Sequence, residues 1–186
     1  MAGTVEFSPL ALAETQKTLG QAGFSTNEVL KSMRNVSDLA TAGLVDLAGA
    51  TDININMMRS FSIPVHQSRD ALDKMVKATQ LTPLSMDELG TAMGYAAGTA
   101  SVFNQSLDDS LILLGLVKPI TKTASKAGTA LGAAMAALQR TGGRKILDQL
   151  GVSLIDAAGK TRPLLDVIPE IEAGLLGVDK AQRQYL

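Results

Sequence analysis

The sequence predicts a mainly α protein: a multi-helix array of capped helical hairpins with one small β-hairpin near the C-terminus. Three observations lead there. Ser25, Ser85 and Ser106 each stand three residues before an acid, Glu28, Glu88 and Asp109, the reciprocal spacing of a capping box. Apolar residues behind these starts recur at three- and four-residue steps, the period of one buried helical face. Only 3% of residues are aromatic while glycine and alanine fall in helical register, so small residues must carry much of the packing.

Taken in order, Ser8-Pro9 reads as an N-cap followed by proline at the first helical position, opening a weakly amphipathic helix through Leu10, Leu12, Ala13 and Leu19 that stops near Gly20 to Gly23. The Ser25/Glu28 box opens a second helix with Val29, Leu30, Met33, Val36, Leu39 and Ala40 on one face, and Gly43 marks a break or a close contact. Leu44 to Ala50 adds a turn or two. Thr51-Asp52 then caps a third helix carrying Ile53, Ile55, Met57, Met58 and Phe61, which Pro64 ends. The alternation of Ile53, Ile55 and Met57 also suits a strand, but Met58 and Phe61 extend the helical step. Gln67 to Thr79 sets Ala71, Leu72, Met75 and Val76 against a charged opposite side.

The Ser85/Glu88 and Ser106/Asp109 boxes open two further helices. Three starts of one form read either as a weak internal repeat of hairpins or as good caps that simply recur. Pro119 predicts a break, and Thr123 opens an alanine-rich helix that closes near Gly142-Gly143. A short helix with Ile146, Leu147 and Leu150 ends at Gly151. Val152 to Asp156 then alternates, Ala157-Ala158-Gly159-Lys160 reads as a turn and Thr161 to Leu164 returns, a β-hairpin cut short by Pro163. A last helix runs from Asp166 through Val167, Ile168, Ile171 and Leu175, and Lys180 to Leu186 looks like a further helix start that is truncated. The expected organisation is a helical leader over 1–24, a helical core region over 25–150, and hairpin plus helix over 151–186.

Composition excludes several function classes. At 186 residues the chain is about one domain's worth. Its formal charge is −1, without the basic surplus of a nucleic-acid grip. It has no cysteine and one histidine, His66, so thiol nucleophiles, disulfides and His-rich metal clusters are excluded. The uncharged run Leu89 to Leu107 is long enough to span a membrane, but Asn104 and Gln105 would need partners in lipid, and it reads as a soluble helix.

No set of side chains converges on chemistry, so no catalytic, cofactor-binding or metal-binding residues are assigned. His66 reads as a surface or capping residue. Asp108 and Asp109 are adjacent and share no helical face; Glu170 and Glu172 are likewise not neighbours and read as solvated. Asp156 to Lys160 lacks the glycine spacing of a phosphate loop. Arg144-Lys145 is a small basic spot offset by Asp148, and the eight methionines read as core filling. Glu88 could be imagined as a lone glycan-cleaving acid, but the cap explains it. Gly90, Gly94 and Gly98 form a ladder, repeated by Gly128 and Gly132. Each glycine costs about 1 kcal/mol against alanine in a helix, which close backbone approach would offset. Tight packing within the chain is the preferred reading and a self-association seam the other.

Ala127-Gly128-Thr129-Ala130-Leu131, then Leu150-Gly151-Val152, the Asp156-to-Lys160 turn, and Arg162-Pro163-Leu164 leading into the next helix stand in an order by which the C-terminal third resembles the core region of phage tail tape-measure proteins. Ser85 to Gly90 and Gln105 to Asp109 are similar to the family's helix starts, and the likeness covers roughly 25 to 180. It implies a non-enzymatic structural part of a phage or prophage tail, acting in tail assembly and tail-length determination. By the same resemblance the parent protein occupies the lumen of the virion tail and the host cytoplasm during assembly. Expected partners are tail tube, tail-tip and tail-assembly chaperone proteins, with self-association and no nucleic-acid specificity. Family members are much longer, so the chain reads as an excised piece. The alternative function is a membrane-active helical module that helps DNA through the host envelope, with membrane contact made by the parent protein.

Overall fold

Residues 7–177 are described by the structure, a computed structural model. Nine α-helices follow one another among them: α1 (Pro9–Gln21), α2 (Thr26–Gly43), α3 (Leu47–Ser60), α4 (Ser68–Leu81), α5 (Met86–Val102), α6 (Leu107–Thr121), α7 (Ala124–Gln139), α8 (Thr141–Gln149) and α9 (Leu164–Gly177), with a 3₁₀ turn at Val65–Gln67 before α4. Several helix starts sit where side-chain oxygens meet free backbone N–H groups. The Ala11 N–H donates to the Ser8 hydroxyl at 3.1 Å. Capping boxes close at Ser25, Ser85 and Ser106, with the Ser106 N–H donating to Asp109 and the Asp109 N–H returning to Ser106 Oγ.

The main core runs from Val36 and Leu39 on α2 through Met57 and Met58 on α3, Leu72 and Met75 on α4, Leu89, Ala92 and Ala96 on α5, and Leu111 and Leu114 on α6 to Leu131 and Met135 on α7. α1 is docked on α2 and α3, with Leu19 fully buried. α5 and α7 form the most extensive helix pair, and α7 also packs along α6. A smaller cluster of Leu147, Val152, Leu154 and Val167 fastens α8 to α9. Met57, Met58, Met75, Met86, Met93 and Met135 are all buried, as core filling requires.

Four expectations need correction. The β-hairpin is absent: among the described residues no strand forms, and Ile155 and Thr161 make one isolated antiparallel bridge. The Asp156 carboxylate accepts from the Ala158 and Lys160 N–H groups, so its own side chain closes the loop. Pro163 then removes the next donor, and no third strand is present to support a two-stranded ribbon. Thr51-Asp52 does not open α3. The cap is Asp46, whose carboxylate accepts from Gly49 N–H at 2.6 Å, while the Thr51 hydroxyl bonds back to Leu47 carbonyl inside the helix. Pro119 lies within α6, two residues before its end; it removes one helical hydrogen bond at a terminus that Lys122 closes in the left-handed conformation, φ 67°. Gly142 and Gly143 do not close α7 but form the first turn of α8, the chain bending at Arg140. The expected helix start at Lys180 to Leu186 falls outside the described residues.

Candidate functional site

Most of the acids singled out in the sequence have a structural task. Glu88 accepts from the Ser85 N–H at 3.2 Å and from Lys118 Nζ at 2.7 Å. Lys118 is only 8% exposed on α6, so Glu88 both caps α5 and supplies the countercharge for a nearly buried ammonium. The Lys118 hydrogen bond and then the Ser85 amide hold the Glu88 carboxyl below the ordinary glutamate range, which is opposite to what a general acid needs. Asp108 binds Lys74 at 2.9 Å and Asp109 completes its box. Glu170, expected to be solvated, takes a two-pronged hydrogen bond from Arg162 at 2.6 and 3.0 Å; Glu172 is exposed. His66 is exposed in the 3₁₀ turn with only Gln67 within hydrogen-bond distance. Among the described residues no group of three or more His, Cys, Asp or Glu could hold a metal, and no helix is long and apolar enough to cross a membrane.

The block that carried the resemblance is held by the α5–α6 turn. Gln105 is buried and its Oε1 accepts from the Leu164 N–H at 2.8 Å, capping α9, while its Nε2 donates to the Phe103 carbonyl. Asn104, left-handed at φ 53°, donates to the Thr161 carbonyl, and Gln139 on α7 donates to the Thr161 hydroxyl. Arg162 adds a bond to Ser153 carbonyl beside its Glu170 pair. The polar pair Asn104-Gln105, which would be a liability in lipid, is therefore the clamp that pins residues 153–164 to the bundle. Beside this turn lies an open groove of about 380 Å³ whose lining includes Phe61, Gln67, Lys74, Ser101, Asn104 and Asp108. Lys74 in this groove pairs with both Asp70 and Asp108.

The glycines divide into two groups. A Cβ on Gly128 would run into the Ala92 carbonyl oxygen and lie 2.9 Å from Tyr95 Cβ, and one on Gly132 would meet Thr99 at 3.4 Å. These two let α7 settle onto α5. Gly90 is also packed, 2.6 Å from Ile53 by the same construction, but Gly94 and Gly98 meet nothing within 4 Å. Intrachain packing thus accounts for Gly90, Gly128 and Gly132, whereas Gly94 and Gly98 lie on the surface. α5 buries Ala92, Ala96, Ala97 and Ala100 beside Met86, Leu89 and Met93.

What remains exposed on these helices is nearly free of charge. From Leu89 to Gln139 the charged residues are Asp108, Asp109, Lys118, Lys122 and Lys126. α5 exposes Gly94, Gly98, Tyr95 and Val102; α7 exposes Ala130, Ala133, Ala134 and Ala137; α6 exposes Ile112, Leu116 and Ile120. α7 packs against both α5 and α6; exposed apolar residues mark an interaction site where they form a contiguous patch.

The family model described as phage-related minor tail protein matches residues 1–186. The tape measure protein of Pneumococcus phage Dp-1 is 27% identical over 179 residues, covering 95% of this chain and 16% of that protein. The probable tape measure protein of Escherichia phage P2 is 23% identical over 163 residues, covering 87% of this chain and 20% of that protein. The chain therefore spans a fifth or less of the length of these curated relatives. No solved structure matches it.

Proposed function

The chain belongs to the phage-related minor tail protein family, and from that premise we propose that it is a non-enzymatic structural domain of a tail tape-measure protein that acts in tail assembly and length determination. The observation that carries this reading is the family match over the whole chain together with a tape measure relative aligned over 95% of it. The structure supports it through what its polar groups do: Glu88, Asp108, Asp109, Glu170 and Arg162 are spent on caps and clasps. The longest described helix has 18 residues, about 27 Å at 1.5 Å per residue, so this region is no extended ruler by itself. Its role in the reading is to anchor or organise one part of the parent protein, within the tail lumen after assembly in the host cytoplasm. Residues 25–150 are the core unit of that part, with 1–24 as leader and 151–186 as its closing segment. Tail tube, tail-tip and chaperone proteins are its partners, and copies of the chain associate.

In-frame deletion of this region from the parent gene tests the tail role. Tails should fail to form or form with altered length; tails of normal length that infect normally would refute it. A second reading, a helical module acting on the host envelope, draws on the uncharged α5–α7–α6 surface. Flotation of the purified chain with anionic and zwitterionic liposomes tests it, and no association with either refutes it.

A further inference from the structure

We propose that residues 141–177 form a hook that opens and recloses as one unit on the helical bundle, with the Asn104-Gln105 turn as its latch and Arg140 to Gly142 as its hinge. The hook consists of α8, the loop after it and α9, and it has fastenings of its own. Leu147, Val152, Leu154 and Val167 make a core separate from the main one. The Arg162 guanidinium joins the Ser153 carbonyl to Glu170. Gly174 of α9 sits so close to the end of α8 that a Cβ there would lie 3.0 Å from Leu150 Cβ. A segment with its own core and its own ion pair can separate from its neighbours as a cooperative unit.

Its attachment to the bundle is narrower. Leu164 and Leu165 reach the main core, and Leu138 at the end of α7 touches both cores. Among the described residues no ion pair crosses to the hook, and the side-chain hydrogen bonds that do come from Asn104, Gln105 and Gln139. Gln105 Oε1 accepts from the Leu164 N–H at 2.8 Å and its Nε2 lies 3.5 Å from the Arg162 carbonyl. Asn104 donates to the Thr161 carbonyl at 2.9 Å and Gln139 to the Thr161 hydroxyl at 3.3 Å. Beside these bonds Phe103, Met135 and Leu138 of the bundle and Leu154, Thr161 and Leu164 of the hook line a crevice of about 10 Å³. Atoms that border such a gap lack neighbours on one side, which weakens the join. At the pivot Arg140 is extended between two helices, φ −69° and ψ 157°, and a Cβ on Gly142 would meet nothing within 4 Å. Element-terminal residues of this kind absorb the dihedral change of a hinge. Opening breaks the latch bonds and uncovers Phe103, Met135 and Leu138.

Native-state amide exchange of the 186-residue chain tests it. Amides of α8 and α9 should share one opening and exchange faster than those of α2 to α5, which wait for global unfolding. Val36→Ala, in the main core, should speed the α2 to α5 amides by about tenfold or more and leave the hook amides unchanged, because the hook opens while that core stays folded. Gln105→Ala takes the acceptor from the buried Leu164 N–H and should speed the hook amides by about tenfold or more. Gln139→Ala, a milder change, should speed the same amides by about fivefold. Since the chain has no cysteine, single thiols report the uncovering directly. Met135 and Met75 are equally buried, 2% and 1% exposed, yet Met135→Cys at the crevice should react with a maleimide at least about tenfold faster than Met75→Cys in the main core. Hook and bundle amides that share one opening, α8 and α9 amides that open separately, or hook amides that follow Val36→Ala as far as α2 does overturn the proposal. So do hook amides that exchange in Gln139→Ala as in the parent, and a Met135→Cys thiol as protected as Met75→Cys.

Discussion

Gly94 and Gly128 share a helical setting and a four-residue glycine ladder, yet replacing each with alanine should move stability in opposite directions. At Gly94 the added methyl meets nothing within 4 Å, so the change is one of backbone propensity alone. Alanine then gains about 1 kcal/mol over glycine in a helix interior. In a domain of this size that raises Tm by about 2–4 °C. At Gly128 the same methyl would overlap the Ala92 carbonyl oxygen and press on Ala92 C at 3.0 Å. Those are backbone atoms of α5, which cannot swing aside as a side-chain end can, so the helix pair must separate. Overpacking of this kind costs about 1–3 kcal/mol, and the backbone constraint places the cost in the upper part of that range. After subtraction of the propensity gain, Gly128→Ala should lose about 1–2 kcal/mol and lower Tm by roughly 2–8 °C. Thermal melts followed by circular dichroism read both. A Gly128→Ala chain that melts at or above the parent temperature, or a Gly94→Ala chain that melts below it, would falsify the division of the ladder into a packed and an open set.

The Glu88–Lys118 clasp should also respond asymmetrically. Glu88→Gln leaves a nearly buried ammonium without its countercharge and should cost about 3 kcal/mol in urea unfolding, whereas Lys118→Met leaves a half-exposed carboxylate that water can solvate and should cost less than 1 kcal/mol; equal losses would refute the reading. Acid should destabilise the chain through its clasped carboxyls. Glu28 is held below its ordinary value of 4.5 by the Ser25 hydroxyl and amide, Glu88 by Lys118 and Ser85, and Glu170 by Arg162. Lowered folded values mean that the folded state binds fewer protons than the unfolded one, so this stability is complete above about pH 5.5 and lost as pH falls through 4.5 and below. Melts between pH 7 and 3 should show a plateau followed by a fall, and an unchanged Tm between pH 5 and 3 would contradict it.

Helix starts were legible because their signal is local. Ser25, Ser85 and Ser106 with their acids three residues on need no tertiary partner to be recognised, and all three boxes close in the structure. Errors came where the same local signal occurred twice or where a long-range partner decided. Asp46 and Thr51-Asp52 are both plausible caps; Asp46 wins because capping there lets α3 bury Leu47, Ala50 and Thr51 in one continuous helix. Val152 to Asp156 alternate like a strand, but Val152 and Leu154 are buried against Leu147 of α8 and Val167 of α9 rather than beside a sheet neighbour. The polar atoms of this loop are claimed by Asn104, Gln105 and Glu170, 8 to 59 residues away along the chain. Glu170 itself looked solvated because its partner, Arg162, lies before the start of its helix.

The family resemblance was legible for a reason that the structure supplies. Its most specific residues, Gly151 to Asp166, contain the loop that Gln105 and Asn104 clamp. Gln105 has one carbonyl oxygen placed on the buried Leu164 N–H and one amide on Phe103 carbonyl, and the Arg162 fork takes Glu170 and Ser153 together. Such paired polar contacts tolerate few substitutions, since a buried group that loses its partner costs about 1–3 kcal/mol. The helical remainder is held by aliphatic contacts that accept many side chains of similar volume. The resemblance read from the sequence therefore rests mainly on the clamped loop, while the exposed faces of α5, α6 and α7 carry only an absence of charge, which no motif records. The tasks of Glu88 and Arg162 were likewise hidden in the sequence, because their partners Lys118 and Glu170 lie on other elements.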